Sequence, residues 1–326
     1  MTGGRVHLSA EAARGLGDEA LRRIGYAAAD AAILADHMLD AALCGYEYSG
    51  LPKILNIPEH PRFARPRLPM RRIRDTPVST LWDGGNENGM LTLHHATGDA
   101  IDKATRQGFA LVGVSNTWMS GRSAHYVERI ARADLVAIHT VSCSRAVAPL
   151  GGTRPVFGTN PIAFGLPTAH GPLVFDMGTS AFMLTELMLR ERKGEELPPG
   201  VALDAAGQPT RDPAAARAGA LLPFGGHKGY GLALMMQALG VLAGSALDPE
   251  EDNGCLLIAL RPDLLVPLDE LKTDLTRLLD RVKATPRAPG VDEIRIPSER
   301  AFANRARALL HGIEIDRLVY DALGAL

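Results

Sequence analysis

The feature that most constrains this chain is a change of hydrophobic period between its first fifty residues and the stretch beyond residue 78. Residues 9–50, "SAEAARGLGDEALRRIGYAAADAAILADHMLDAALCGYEYSG", are alanine-rich and repeat apolar side chains at helical spacing, with Ser9 placed to cap the first turn. From residue 78 to about residue 180 the pattern becomes short β-branched runs separated by helices and glycine turns. Strands are predicted at "VSTLWDGG", "ALVGVSN", "LVAIHTVSC", "GTNPIAFGLP" and "PLVFDMGTS", with helices at "TLHHATGDAIDKATRQG" and "SAHYVERIARAD". That alternation is α/β (α+β) in class. Between the two regimes lies "LPKILNIPEHPRFARPRLPMRRIRDTP", where prolines every few residues predict an extended connection rather than a helix. Its arginines read as a solvated face, or as an arm, residues 58–74, that crosses to a second subunit.

Further on, residues 195–218 cluster Asp, Gly and Pro without apolar periodicity and read as a loop. "GCLLIALRPDLL" restores a strand, "LDELKTDLTRLLDRVKA" an amphipathic helix, and "SERAFANRARALLHGIEID" a closing helix. The expected organisation is a helical unit of residues 1–60 joined by 300–326, packed on an α/β body of 61–299.

A second feature points toward a ligand. "GALLPFGGHKGYGLAL" sets Gly225, Gly226, Gly229 and Gly231 around His227 and Lys228, immediately before an apolar run that reads as a buried helix. Unpaired N–H groups and the helix dipole favour an anion there, and Lys228 adds a full charge. The stretch is not G-x-x-x-x-G-K-[ST], and no G-x-G-x-x-G stands between a strand and a helix in the chain. A tight loop with both side chains solvated remains open on these residues alone.

Composition narrows the partners. The 35 basic and 37 acidic residues nearly cancel, so no global field attracts nucleic acid or a membrane surface. The apolar runs fall short of a spanning helix and the first residues lack a signal-peptide core, so a soluble, cytoplasmic protein is expected. Cys44, Cys143 and Cys255 are scattered and odd in number, which argues against a disulfide framework and a zinc cluster. His94, His95 and His139 have no acidic or cysteine partners at ligand spacing, so no metal is assigned.

Taken together, "APLGG", "GTNPIAF", "FDMGTS", "DAAGQPTRDP", "GALLPFGGHKG" and "IPSERAFANRAR" resemble, in order and spacing, the type 2 malate/L-lactate dehydrogenase family, with "GALLPFGGHKG" closest to its Δ1-piperideine-2-carboxylate reductase branch. The resemblance implies a non-Rossmann NAD(P)-binding fold, with NADPH or NADH as cofactor, a small carboxylate substrate and a homodimer. It implies cofactor contacts at Asp176, Met177 and Gly178, at His227 and Lys228, at Pro297, Ser298, Glu299 and Arg300, and along Trp118, Met119, Ser120, Gly121 and Arg122. It implies substrate contacts at Thr159, Leu184 and Thr185. On residues alone, Thr159 reads equally as a turn threonine ahead of Asn160 and Pro161.

The chain also departs from that pattern. Where the family carries Gly-x-x-Ser-His-Gly and then an arginine, this chain reads "CGYEYSGLPK": Tyr48 stands at the serine, Ser49 at the histidine that donates the proton, and Lys53 at the arginine that clamps the substrate carboxylate. Where the family has Asn-x-x-His this chain reads "SNTWMSGR", with Trp118 and Met119 at that motif's final positions, and Glu186 aligns with an aspartate of the imine-reductase branch. Tyr48 is the expected replacement donor, with Ser49 orienting it, Glu186 assisting and Lys53 both holding a carboxylate and easing loss of the phenolic proton. A buried aromatic with a satisfied hydroxyl is the structural alternative for Tyr48. His125, on a predicted helix, is a further donor within reach or an ordinary helix histidine. Two functions are open: an NAD(P)H-dependent oxidoreductase reducing a small 2-oxo acid or cyclic imino acid, or a diverged, non-catalytic cofactor-binding homodimer.

Overall fold

The computed structural model describes residues 4–246 and 253–326. A short strand β1 (Arg5–Leu8) leads into α1 (Ala10–Arg23) and α2 (Ala28–Leu43). Ser9 caps α1 through its Oγ, which accepts the Ala12 N–H at 3.1 Å. One turn of 3₁₀ helix, Glu47–Ser49, then gives way to α3 (Pro52–Glu59). This helix corrects the expectation of an extended segment. Pro52 falls in its first turn, where a missing N–H costs nothing, and Pro58 falls next to its end. Leu51, Ile54, Leu55 and Ile57 are buried, each gaining about 1.5–3 kcal/mol from leaving water, which outweighs the break the prolines signal.

The connection ends in a strand that was not predicted, β2 (Arg71–Asp75), and the α/β alternation then follows in the predicted order: β3 (Ser79–Asn88), α4 (Gly89–Gln107), β4 (Phe109–Trp118), α5 (Ser123–Arg132), β5 (Val136–Ser142), β6 (Ile162–Leu166) and β7 (Leu173–Met177). Asn88 caps α4, and Gly108 ends it in the left-handed conformation. Beyond them lie α6 (Leu184–Lys193), β8 (Ala202–Leu203), α7 (Pro213–Ala218), β9 (Ala220–Leu221) and α8 (His227–Leu242). The segment read as a loop thus holds a two-residue strand and a one-and-a-half-turn helix, which Asp212 caps by accepting the Ala214 N–H. The chain closes with β10 (Asn253–Leu260), α9 (Leu268–Lys283), α10 (Glu299–His311), β11 (Ile313–Asp316) and α11 (Arg317–Ala325).

Seven strands form one sheet in the order β2-β3-β4-β10-β5-β6-β7. The β3–β4 pair is parallel and every other neighbour antiparallel. This is not a doubly wound nucleotide fold. One buried cluster joins α1, α2 and α3 to Ala308, Ile315, Val319 and Leu323 of the C-terminal elements. Another lies beneath the sheet, between β4, β10, β5 and the helices α4 and α5. On this packing we propose the division into a helical unit, residues 1–60 with 300–326, and an α/β body, 61–299. The apolar helix α8 is not buried as expected: Leu234, Met235, Val241 and Leu242 stand exposed along one face.

Candidate active site

The sheet register brings several strand ends to one edge. Asn253 of β10 pairs with Thr117 of β4, Gly254 with Ser142 of β5, and Ile162 of β6 with both Thr140 and Met177. The segments leaving these ends, after Trp118, Ser142 and Met177 and before Ile162, therefore converge. Together with the 3₁₀ turn, α3 and the start of α6 they enclose a cleft of about 940 Å³. That is the upper end of the size range of small-molecule sites.

Of the residues implicated from sequence, the cleft brings together Tyr48, Ser49, Lys53, Thr159, Leu184 and Thr185 with Met119, Ser120, Gly121, Arg122, Asp176, Met177, Gly178, Pro297 and Ser298. Met119 and Gly121 both have positive φ, at 58° and 77°, which folds the Met119–Arg122 segment tightly. Gly121 presses on α2: a Cβ there would lie 2.3 Å from His37 Nε2, the atom that accepts the Arg122 N–H at 2.8 Å. The Arg122 guanidinium is committed to Asp40 at 2.9 Å and stacks on Tyr46. Asp40 is also held by Arg305 at 2.8 Å, which ties α10 to the same network. Asp176 accepts the Ala124 N–H at 2.8 Å and so occupies the N-terminus of α5. Burial pushes its carboxyl up, against that hydrogen bond and the charge of Arg122.

Lys53 is different in kind. It is 6% exposed, in the first turn of α3, and its ammonium makes no hydrogen bond or ion pair among the described residues. Burial brings that ammonium down to about 8, opposed only by the nearby Cys143 thiol. The thiol is itself pushed up to about 11 by burial, although Lys53, Asn160 and the Thr159 and Ser120 hydroxyls oppose the shift. Tyr48 moves the other way. Burial, then Glu186, Tyr46 and Asp176, raise its phenol to about 12, and Lys53 is not among the charges that lower it.

A family model described as malate/L-lactate dehydrogenase matches residues 8–324. The chain belongs to this family. It is an NAD(P)-dependent oxidoreductase. The L-sulfolactate dehydrogenase of Methanothermobacter thermautotrophicus is 34% identical over 304 residues, covering 89% of this chain and 87% of its own. The Delta(1)-pyrroline-2-carboxylate reductase 1 of Burkholderia ambifaria is 39% identical over 267 residues, covering 78% and 76%. Among solved structures, a dehydrogenase from Sinorhizobium meliloti superposes with a TM-score of 0.90 at 30% identity, covering 99% of this chain and 98% of that one.

Six residues that the family resemblance implicated do not line the cleft. Trp118 is buried beneath it, its indole N–H donating to the Asn86 carbonyl and its ring stacked on His60 at 4.7 Å. Glu186 pairs with Arg190 at 3.3 Å, close enough to Tyr48 to raise the phenol. Glu299 is bound to Lys283 and to the Ile296 N–H, and Arg300 is exposed in the first turn of α10. His227 and Lys228 are exposed at the start of α8. The Phe224 N–H, however, donates to Thr179 at 3.0 Å, which ties that glycine turn to the chain leaving Gly178. His125 lies outside the lining, with Nδ1 3.6 Å from Asp40.

Sequence reasoning missed several lining residues, among them His60, Arg65, Cys143, Arg145, Arg217 and Arg295. Arg62 is not on a solvated face: it is buried, donating to Asn86 Oδ1, the Thr117 carbonyl and Asn116 Oδ1 at 2.6–2.9 Å. Pro61, next to His60 and Arg62 in "EHPRFAR", was the available signal, since it fixes the backbone where the arm turns over the cleft.

The walls fit a nicotinamide dinucleotide. A Cβ at Gly178 would lie 2.9 Å from Met183 Sδ and 3.3 Å from the Thr159 carbonyl, so only glycine lets these cleft-lining residues pack together at the end of β7. Met119, Met177 and Phe175 offer apolar surface, while Arg65 offers a cation for a diphosphate.

Proposed function

We propose that this enzyme reduces a small 2-oxo acid or cyclic imino acid with NADPH or NADH, the reverse reaction being oxidation of the 2-hydroxy acid. The observation that carries this reading is Lys53, a buried cation without a protein partner among the described residues, on the wall of the cleft. A buried charge is retained where something pairs with it, and the carboxylate of a small acid is the simplest partner. Thr159, Leu184 and Thr185 complete the substrate end.

Ser120, Gly121, Arg122, Met177, Gly178, Pro297 and Ser298 would hold the dinucleotide, with His227 and Lys228 as a phosphate contact at the α8 start. The bound dinucleotide supplies a hydride, and the protein supplies orientation, exclusion of water and a proton. An imino nitrogen enters already protonated and so asks less of the protein than a carbonyl oxygen does. Tyr48, kept as phenol by its surroundings, and Ser49 serve as hydrogen-bond donors near the reacting atom.

The reading includes a homodimer. Leu234, Met235, Ala238, Val241 and Leu242 form an exposed apolar stripe at helical spacing on α8, a face a second copy would cover. A monomer by light scattering at micromolar concentration would count against it. The function itself is tested by titrating reduced nucleotide fluorometrically and then screening 2-oxo and cyclic imino acids for loss of nicotinamide absorbance. Tight nucleotide binding with no turnover across both classes would leave the non-catalytic alternative.

A further inference from the structure

We propose that Lys53 serves the cleft twice, holding the carboxylate of a 2-oxo acid and delivering the proton to its neighbouring C2 oxygen. The inference rests on the function proposed above and assigns the proton donor that the chain's altered motif leaves open.

Three observations carry it. First, three other cations of the cleft are already engaged: Arg122 with Asp40, Arg217 with Glu191 and Arg295 with Glu293. Lys53 is buried, and no hydrogen bond or ion pair engages its ammonium among the described residues. Second, the titratable groups that face it are the Cys143 thiol after β5 and the His37 imidazole of α2. Burial keeps the first protonated and the second neutral, so neither supplies an anion to balance the ammonium. The anion must come from a ligand. Third, the alternatives are poor acids or lie elsewhere. Tyr48 stands at about 12, Ser49 is an alcohol, and His125 faces Asp40 outside the cleft lining. Lys53, brought down to about 8, is the lining group whose acidity suits neutral pH.

The substrate's own geometry makes the double role possible. In a 2-oxo acid the carboxylate oxygen and the C2 oxygen lie side by side, and an ammonium carries three donors. An arginine at this position would hold the carboxylate but could not surrender a proton. As hydride from the reduced dinucleotide forms the new bond to C2, the carbon–oxygen π bond breaks and its electron pair takes a proton from Lys53 Nζ. The dinucleotide leaves oxidised, and the neutral amine is reprotonated from water. A cyclic imino acid bound as iminium needs no such transfer, so it asks only the carboxylate contact of Lys53.

The test compares wild type, Lys53→Arg and Lys53→Met, each first checked for native circular dichroism and reduced-nucleotide binding. Kinetics are measured with the best 2-oxo acid from a pyruvate, oxaloacetate and phenylpyruvate screen, and with Δ1-pyrroline-2-carboxylate. Oxamate binding to the nucleotide-free enzyme is measured calorimetrically at pH 8.5 in two buffers of different ionisation enthalpy, which reports protons taken up. Lys53→Arg is expected to bind oxamate without proton uptake and to lose about 100-fold or more in kcat on the 2-oxo acid, the scale of a positioned acid. Lys53→Met should raise KM for both substrates, and wild type should take up protons on binding oxamate. Full kcat in Lys53→Arg, or no proton uptake by wild type, overturns the proposal while leaving the function intact. A wild type that binds nucleotide and turns over neither substrate class overturns the function, and the role of Lys53 with it.

Discussion

Replacing Gly121 by alanine should loosen the loop that carries Arg122 into the cleft, and a second substitution can show why. The residue has φ +77°, where an L side chain costs about 1–2 kcal/mol. The new Cβ would also lie 2.3 Å from His37 Nε2 and 2.6 Å from Met90 Cγ. His37 is buried and cannot retreat without abandoning the Arg122 N–H it accepts at 2.8 Å. Leaving that donor unpaired costs about 1–3 kcal/mol, so Gly121→Ala should destabilise by about 2–5 kcal/mol in all. His37→Ala removes the same acceptor and should cost the same 1–3 kcal/mol at the hydrogen bond, as an order-of-magnitude figure. In the double variant the hydrogen bond is lost only once, giving a coupling of about 1–3 kcal/mol. Urea unfolding of the four proteins measures it, and fluorescence titration with reduced nucleotide shows whether the loop still serves the cleft. Costs that add within about 0.5 kcal/mol would refute the claim that His37 braces this turn.

Tyr48→Phe should lower kcat by about tenfold, the loss of one hydrogen bond near the reacting atom, and a loss of about 100-fold or more would return the donor role to Tyr48. Lys228→Ala should weaken reduced-nucleotide binding by about tenfold with kcat little changed, since a phosphate contact is present in ground and transition states alike; unchanged affinity would remove the α8 start from the cofactor site. Asp40→Asn should cost about 3 kcal/mol at pH 7, because it breaks a largely buried pair with Arg122 and Arg305. Burial alone would raise the Asp40 carboxyl, yet nearby His125, the charge of Arg122 and the hydrogen bond from Arg305 hold it well below the usual range. Its stabilisation is therefore complete above the unfolded value of about 3.9 and drains away as pH falls below it, so acid unfolding should be less steep in Asp40→Asn than in wild type.

The alternation of strands and helices was legible because its signals are local. β-branched runs, the Asn88 cap and the Gly108 stop act within a turn of where they stand. Helix α3 was not legible, since Pro52 and Pro58 are local while the burial of Ile54 and Ile57 against α1 and α11 is not. The same distinction runs through the site. The glycine turn at 225–229 and the "FDMG" strand end announce themselves in sequence. That Lys53 is buried beside Cys143, ninety residues away along the chain, is a property of the fold alone. So is the fate of Arg62, whose partners come from β3 and β4. Glu186 shows the opposite limit: its alignment was readable, but whether its carboxylate turns to the cleft or to Arg190 four residues on depends on packing.

The burial of Lys53 also explains why α3 must be a helix for the site to exist. An ammonium held without a counter-charge disfavours the folded state whenever it is protonated. Its folded value near 8 lies below the unfolded value of about 10.4, so the penalty is complete below pH 8 and is relieved only as pH rises between the two. Something next to it must oppose that penalty at neutral pH. Leu51, Ile54, Leu55 and Ile57 surround Lys53 in sequence and are buried against the first core cluster, so the helix that exposes the cation to the cleft is fixed by its apolar neighbours rather than by the cation itself. An extended segment would have alternated these side chains between faces and left half of them in water. The helical turn gathers them on the core and leaves Lys53 pointed at the cavity, where a substrate carboxylate can supply the missing charge.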